Sequence, residues 1–180
     1  FERRDAEVVA INTIGTPEAM AHLLKYDSAY GIYGHEVDFD DQHIIIDGQK
    51  ILFMSEPDPT KLPWDKLEID TVMECTGRFT NPADARAHIR AGARKVVISA
   101  PAKGPGAKTV VLGVNEEVVT ADDEIISCAS CTTNCIAPVM KILEDNFGVE
   151  KAMMTTVHSY TASQKLQDDA AKDLREARAA

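Results

Sequence analysis

At 180 residues and 44% hydrophobic side chains, the chain is long enough to bury a real core, as one large domain or one domain and part of another. Its 29 acidic against 19 basic residues leave a net charge of −10, which argues against nucleic acid or an anionic membrane surface as the main partner. No apolar run reaches the length of a membrane span, no secretory signal stands at Phe1, and four cysteines are too few for a disulfide framework in a chain this large. A reducing cytoplasm is the expected compartment.

In chain order, Phe1–Arg4 resembles the end of a helix feeding a strand. Glu7-Val-Val-Ala-Ile-Asn12 is an apolar run between polar ends, as expected of a strand covered on both faces. Thr16-Pro17 supplies an N-cap and a first-turn proline, and Met20, Leu23 and Leu24 form a helical stripe. Ile44–Ile46, Asp47-Gly48 and Ile51–Phe53 make a hairpin signal, because Asp-Gly suits the positive dihedrals of a tight turn. Asp58 to Trp64 reads as loop.

Ile69–Cys75 then predicts a strand, Thr76-Gly77 a turn, and Asn81-Pro82 the start of a helix that Gly92 ends. His22 and His88, each on a charged helix, are expected in solvent. Lys95–Ser99, Thr109–Leu112 and Glu124–Ser127 are further strands. Strands alternating with helices imply an α/β fold with a doubly wound (Rossmann-type), mostly parallel sheet. After Cys131 a helix carries Ile136, Val139, Met140, Leu143 and Phe147 on one face and stops at Gly148. Pro138 leaves its start open, at Cys131 or near the proline itself. Val149 to His158 reads as another strand, and Lys172 to Ala180 as a helical run.

The chemistry gathers at Ser130-Cys-Thr-Thr-Asn134. A thiol is nucleophilic as thiolate, and Ser130 as N-cap would set Cys131 against helix N–H groups that favour negative charge. The hydroxyls of Ser130, Thr132 and Thr133 add donors for an oxyanion or a phosphate. A lone cysteine is more often a small buried residue, but this one stands among hydroxyls on a strand-to-helix turn. His158 is its candidate partner, able to raise the thiolate fraction and move protons. Thr155, Thr156, Ser159, Tyr160 and Thr161 around it are too polar for a core strand and suit an anionic substrate. A rival reading takes Cys128, Cys131 and Cys135 as a C-x2-C-x3-C metal or iron–sulfur module, or Cys128–Cys131 as a redox pair. A fourth ligand is not obvious nearby, and no metal is assigned.

The Ser130–Cys135 block and Thr155-Thr-Val-His-Ser-Tyr-Thr161 resemble the phosphorylating glyceraldehyde-3-phosphate dehydrogenases. So do His22-Leu-Leu-Lys-Tyr-Asp-Ser28, Leu62-Pro-Trp64, Glu74-Cys-Thr-Gly77, Val97–Lys103 and Gly113-Val-Asn115, in order from about Glu7 to Ala180. The resemblance implies a cytoplasmic homotetramer of glycolysis that converts glyceraldehyde 3-phosphate and inorganic phosphate to 1,3-bisphosphoglycerate through a thioester on Cys131. It implies His158 as base, Ser130 and Thr132 as inorganic-phosphate contacts, and Thr161 as a substrate-phosphate contact. Asn12, Thr13, Thr76, Gly77 and Ser99 fall at positions on the cofactor side. Residues 1–129 would be the dinucleotide-binding domain and residues 130–180 the start of an α+β catalytic domain.

Departures qualify the cofactor. The sequence holds no G-x-G-x-x-G turn to cradle a pyrophosphate, so this stretch by itself is expected to bind cofactor poorly and be inactive. Asn12-Thr13 replaces the family's Asn-Asp, and losing that carboxylate removes repulsion of a 2′-phosphate, which admits NADP beside NAD. Asp169-Ala170, in place of a Leu-Pro pair, points the other way. Pro57 removes an adenine-side Arg, and Ala162-Ser163 replaces Asn-Asp after Thr161. A related dehydrogenase of another phosphorylated aldehyde, such as erythrose 4-phosphate, stays as an alternative, beside a non-catalytic fragment.

Overall fold

Residues 5–171 and 173–178 are described by the computed structural model. The chain divides after Val139 into two compact units. In the first, the apolar run forms strand β1 (Ala10–Asn12), followed by helix α1 (Pro17–Lys25). The Thr16 hydroxyl accepts the Ala19 N–H at 3.2 Å and caps α1, with Pro17 in the first turn as anticipated. Strands β2 (Tyr26–Asp27) and β3 (Gly31–Ile32) make a small antiparallel ribbon.

Strand β4 (Val37–Asp40), which the sequence reading missed, pairs antiparallel with β5 (His43–Ile46). β5 turns through Asp47 (φ 48°) and Gly48 (φ 81°) into β6 (Gln49–Met54). Both turn residues have positive φ, the geometry Asp-Gly favours. β1 adds in parallel on the far side of β6, giving the order β1-β6-β5-β4. Ile44, Ile46, Ile51 and Phe53 form its core.

Strand β7 (Thr71–Glu74), helix α2 (Pro82–Arg90) and strand β8 (Lys95–Ile98) form a strand-helix-strand unit. Asn81 caps α2 by accepting the Ala83 N–H at 3.0 Å. Gly92 (φ 112°) turns the chain where no other residue fits, because a Cβ there would lie 2.4 Å from the Asp65 backbone nitrogen. β9 (Lys108–Thr109), shorter than the strand expected to Leu112, and β10 (Ile125–Ser127) complete an all-parallel sheet of order β7-β8-β10-β9. Ala85, Val96, Ile98 and Ile125 are buried between α2 and this sheet. The α/β class with a doubly wound, mostly parallel sheet is what the alternating pattern foretold; the exceptions are the antiparallel β4-β5-β6 run and the β2–β3 ribbon.

Helix α3 (Cys131–Phe147) starts at Cys131, which settles the choice Pro138 had left open. The proline is accommodated inside the helix at the loss of its own N–H bond. Of the apolar face read from the sequence, Ile136 and Met140 are half-buried while Val139, Leu143 and Phe147 are exposed.

In the second unit, Gly148 (φ 69°) ends α3. Val149–His158 does not form the expected strand: residues 150–161 are exposed and carry no ladder among the described residues. A strand needs a neighbour to bond its backbone, and apolar residues alone do not supply one. Of the expected helical run at the end, the described part is a single 3-10 turn, Leu174–Glu176, capped by Asp173. Phe1–Arg4, Lys172, Ala179 and Ala180 lie outside the described residues.

Candidate active site

Register fixes where the site residues emerge. Glu74 of β7 and Ser127 of β10 both pair with Ile98 of β8, so the three parallel strands end at one level. Their C-terminal loops carry Thr76 and Gly77, Ser99, and the Ser130–Cys131 turn to the same sheet edge, where open parallel sheets bind ligands.

The thiol turn is held from several directions. Ser130 Oγ accepts the Thr133 N–H at 3.0 Å and lies 2.7 Å from Thr133 Oγ1, so Ser130 is the N-cap, a role worth about 1 kcal/mol. Asn134 Nδ2 reaches back to donate to Cys128 O at 2.7 Å and Ser130 O at 2.9 Å. The Cys128 N–H donates to Ile98 O at 2.9 Å. Ala129 is buried and sits at φ 61°, a left-handed conformation that costs a side-chain-bearing residue roughly 1–2 kcal/mol. Cys131 follows as the first helical residue, exposed, with Thr132 half-buried beside it. A cysteine in the first turn of a helix stands at the end that carries partial positive charge, a setting that favours thiolate.

At the β7 end, the Thr76 N–H and hydroxyl both donate to Glu74 Oε1, at 2.7 and 2.5 Å. Glu74 Oε2 lies 2.9 Å from His88 Nε2, and His88 Nδ1 lies 3.1 Å from Trp64 Nε1. Indole nitrogen can only donate, so His88 Nδ1 accepts and Nε2 carries the proton that it gives to Glu74. His88 is therefore not in solvent, as its charged helix suggested: it is 4% exposed, and its ring lies beside those of Trp64 and Phe79. Helix charge pattern misled because α2 turns His88, not its arginines, toward β7. Burial raises the Glu74 carboxyl, but hydrogen bonds from His88 and Thr76 outweigh it and hold the group below its ordinary value. The exposed Thr76 and Gly77 thus stand on a buried, fully bonded carboxylate.

Ser99 is exposed, and its N–H donates to Glu74 O at 3.0 Å. At the end of β1, Asn12 Nδ2 donates to Glu56 O at 3.0 Å while its Oδ1 accepts the Glu56 N–H at 2.9 Å. The Asn12 amide thereby braces the loop after β6. The Thr13 N–H donates to Met54 O at 3.0 Å and its side chain is half-buried. Gly77 (φ 72°) leaves open space where a Cβ would stand, so a flat or phosphorylated group can approach the backbone there. Exposed hydroxyls, open backbone and a strand-end edge fit a dinucleotide.

In the second unit His158 is exposed, with Nδ1 donating to Ser159 O at 2.5 Å. In the neutral ring that bond makes Nε2 the basic nitrogen. Thr161 N–H donates to Gln164 Oε1 at 2.9 Å, and its hydroxyl lies 2.9 Å from Ser163 Oγ. Among the described residues no group of three or more His, Cys, Asp or Glu side chains could hold a metal ion.

Sequence reasoning overlooked Ser127, Asn134 and the Trp64–His88–Glu74 chain. A signal existed for two of them: Asn134 lies inside the thiol block, and Glu74 directly precedes the Cys-Thr-Gly turn. For Ser127 a strand-ending serine offers none.

Sheet, strand-end loops and capped thiol define a Rossmann-type α/β domain that hands its chain to a cysteine-bearing helix. Residues 1–82 match the family model described as "Glyceraldehyde 3-phosphate dehydrogenase, NAD binding domain", and residues 130–180 match the C-terminal domain of the same family. Relatives named glyceraldehyde-3-phosphate dehydrogenase include one from Mycoplasma pneumoniae, 51% identical over 180 residues, covering 100% of this chain and 53% of the relative. One from Thermotoga maritima is 50% identical over 182 residues, covering 100% and 54%. A chloroplastic form A from Scenedesmus vacuolatus is 51% identical over 175 residues, covering 97% and 56%. The chain belongs to the glyceraldehyde-3-phosphate dehydrogenase family, and it spans about half the length of the curated relatives it matches.

Proposed function

We propose that the complete protein oxidises glyceraldehyde 3-phosphate to 1,3-bisphosphoglycerate with inorganic phosphate, through a covalent thioester on Cys131. The observation that carries this reading is an exposed cysteine at the capped N-terminus of α3, on the sheet edge that also presents Thr76 and Ser99. In this reading Cys131 Sγ bonds to the aldehyde carbon, and the carbonyl electron pair moves to oxygen, where the Cys131 N–H holds it. His158, holding the proton taken from the thiol, gives it to that oxygen to form the thiohemiacetal hydroxyl. Nε2 of the neutral ring then takes the hydroxyl proton back as the C–H bond breaks and its hydride leaves the carbon, giving the thioester. NAD, when bound along Thr13, Thr76, Gly77 and Ser99, supplies the hydride acceptor, with Asn12 bracing the adjoining loop. A phosphate oxygen, positioned by Ser130 and Thr132, then bonds to the thioester carbon; the C–S bond breaks and its pair returns to Sγ. Thr161 contacts the phosphate already on the substrate.

The test is phosphate-dependent NAD reduction by the full-length protein, with erythrose 4-phosphate as the competing aldehyde. Cys131→Ser should lower turnover by at least about 10⁴-fold, as loss of a covalent nucleophile does. Substantial turnover in that variant would remove the thiol from the mechanism, and a higher kcat/KM for erythrose 4-phosphate would reassign the substrate. The C-x2-C-x3-C rival would be favoured instead by stoichiometric zinc or iron in the reduced protein.

The same reading extends to cofactor, boundary and assembly. Thr13 carries no charge to repel a 2′-phosphate, so NADP serves as a second acceptor; Thr13→Asp should move the NAD-to-NADP ratio of kcat/KM about tenfold toward NAD, near 1.4 kcal/mol. An unchanged ratio would clear Thr13 of that role. The domain boundary lies between residues 129 and 130. The complete protein works as a homotetramer in the cytoplasm, and the 180-residue chain by itself is inactive, lacking a Gly-rich pyrophosphate turn in its sequence. Among the described residues no helix is long and apolar enough to cross a membrane.

A further inference from the structure

We propose that Ser127 is a positioning residue for the Cys131 nucleophile, acting through the left-handed turn at Ala129. Ser127 ends β10 with 0% exposure. Its hydroxyl donates to Ala100 O at 2.7 Å and accepts from the Ala102 N–H and the Ala129 N–H, each at 3.2 Å. One proton and two lone pairs are thereby all used, so the hydroxyl is saturated and its direction fixed.

Those partners lie on two different loops. Ala100 and Ala102 follow Ser99, the cofactor-side residue at the end of β8; Ala129 is two residues before the thiol. One buried oxygen therefore sets the spacing between the two loops at the level of the strand ends. Ala129 needs such a hold, because φ 61° is a conformation that a residue with a Cβ leaves when released. The neighbouring bonds do not replace it: Cys128 is held through its own N–H and carbonyl, and Ser130 through its carbonyl and capping hydroxyl. Among the described residues, the Ala129 N–H is held by Ser127 Oγ and by no other bond of this turn. If Ala129 rotates out of the left-handed region, the α3 N-terminus tilts, and the Cys131 thiol loses its alignment with the first-turn N–H groups.

This role rests on the thiol reading above, but its test needs neither substrate nor cofactor. In the full-length protein, iodoacetamide alkylation of Cys131 is followed against pH, with mass mapping to separate it from the exposed Cys75 and Cys135. Ser127→Ala should slow alkylation at neutral pH on the order of tenfold to a hundredfold and move the profile to higher pH. Adding Ala129→Gly, which occupies the left-handed region without strain, should restore most of the rate although the hydroxyl is still gone. In the dehydrogenase assay kcat should fall and recover in parallel, with the aldehyde KM little changed.

A Ser127→Ala variant that melts earlier but alkylates with the parent pH profile would overturn the proposal. So would a folded double variant with no recovery, or failure of both variants to fold, since the hydroxyl would then be structural only. A single variant that fails to fold while the double variant folds and reacts supports it. If the full-length protein reduces no NAD yet the alkylation profile shifts and recovers, the dehydrogenase reading fails and the positioning role stands.

Discussion

Cys131 emerges from a turn tied to β8 through the Cys128 N–H, to Ser127 through the Ala129 N–H and to Asn134 through the Cys128 and Ser130 carbonyls, whereas His158 stands in a run of exposed residues, its Nδ1 donating to the adjacent Ser159 O. The difference separates two ways of supplying the groups proposed for catalysis. Unit one builds the thiol's surroundings from its own sheet ends, so damage there reaches stability and chemistry together. The imidazole's segment contributes little to its own unit's packing, so changes there should register in chemistry and leave stability alone.

The largest expected effect tests that separation at His158. His158→Asn in the full-length protein should slow turnover by about 10²–10⁴-fold, the usual worth of a positioned acid–base group. Because His158 is exposed, the urea unfolding midpoint should stay where it was. A lower midpoint would mean that the segment is structural and would break the contrast. Retained turnover would take the base from His158.

His88 probes the other region. His88→Ala leaves a buried indole N–H and a buried carboxylate oxygen without partners, which should cost about 3 kcal/mol of stability. Thr76 shares that carboxylate, so the KM for NAD should rise as well. The pH dependence has a definite sign. Glu74 is held below its ordinary value in the folded protein, so its contribution is present above the unfolded value and fades as pH falls through the folded one. Glu74→Gln should therefore flatten the acid limb of stability below about pH 4.5, the ordinary glutamate range. The other carboxylates that are also lowered, such as Asp123 at about 2 beside Lys108, remain in both proteins and cancel in the comparison. An unaltered acid limb would show that Glu74 is not the titrating link.

Local chemistry was legible where it is written in short runs. Thr16-Pro17, Asn81-Pro82 and Asp47-Gly48 state their own geometry, and helix start, cap and hairpin turn follow without help from the rest of the fold. Cys131 was equally plain, because a serine before it and hydroxyls after it describe a capped helix turn. What stayed hidden depends on who lies across the gap. Nothing near His88 in sequence tells that Trp64 and Glu74 close around it. Ser127 matters only because Ala100, Ala102 and Ala129 converge on it. The same logic explains the missing strand at Val149–His158: its composition suits a sheet, but pairing is a property of two segments.

Thr161 offers the smallest effect and the finest division of the two regions. Its N–H and hydroxyl are engaged with Gln164 and Ser163, all on the same exposed stretch. Trading the Ser163 contact for a substrate phosphate oxygen exchanges one hydrogen bond for a charge-assisted one, a gain of roughly 1–1.5 kcal/mol. Thr161→Ala should accordingly raise the KM for glyceraldehyde 3-phosphate up to about tenfold, with kcat changed less. Thr161→Ser keeps the hydroxyl and should stay near the parent value. Neither should move the unfolding midpoint, because an exposed side chain bonded within its own loop adds little to stability. If the alanine variant instead lost stability with KM unchanged, Thr161 would belong to the scaffold, and the contrast with the Cys131 turn would narrow to His158 alone.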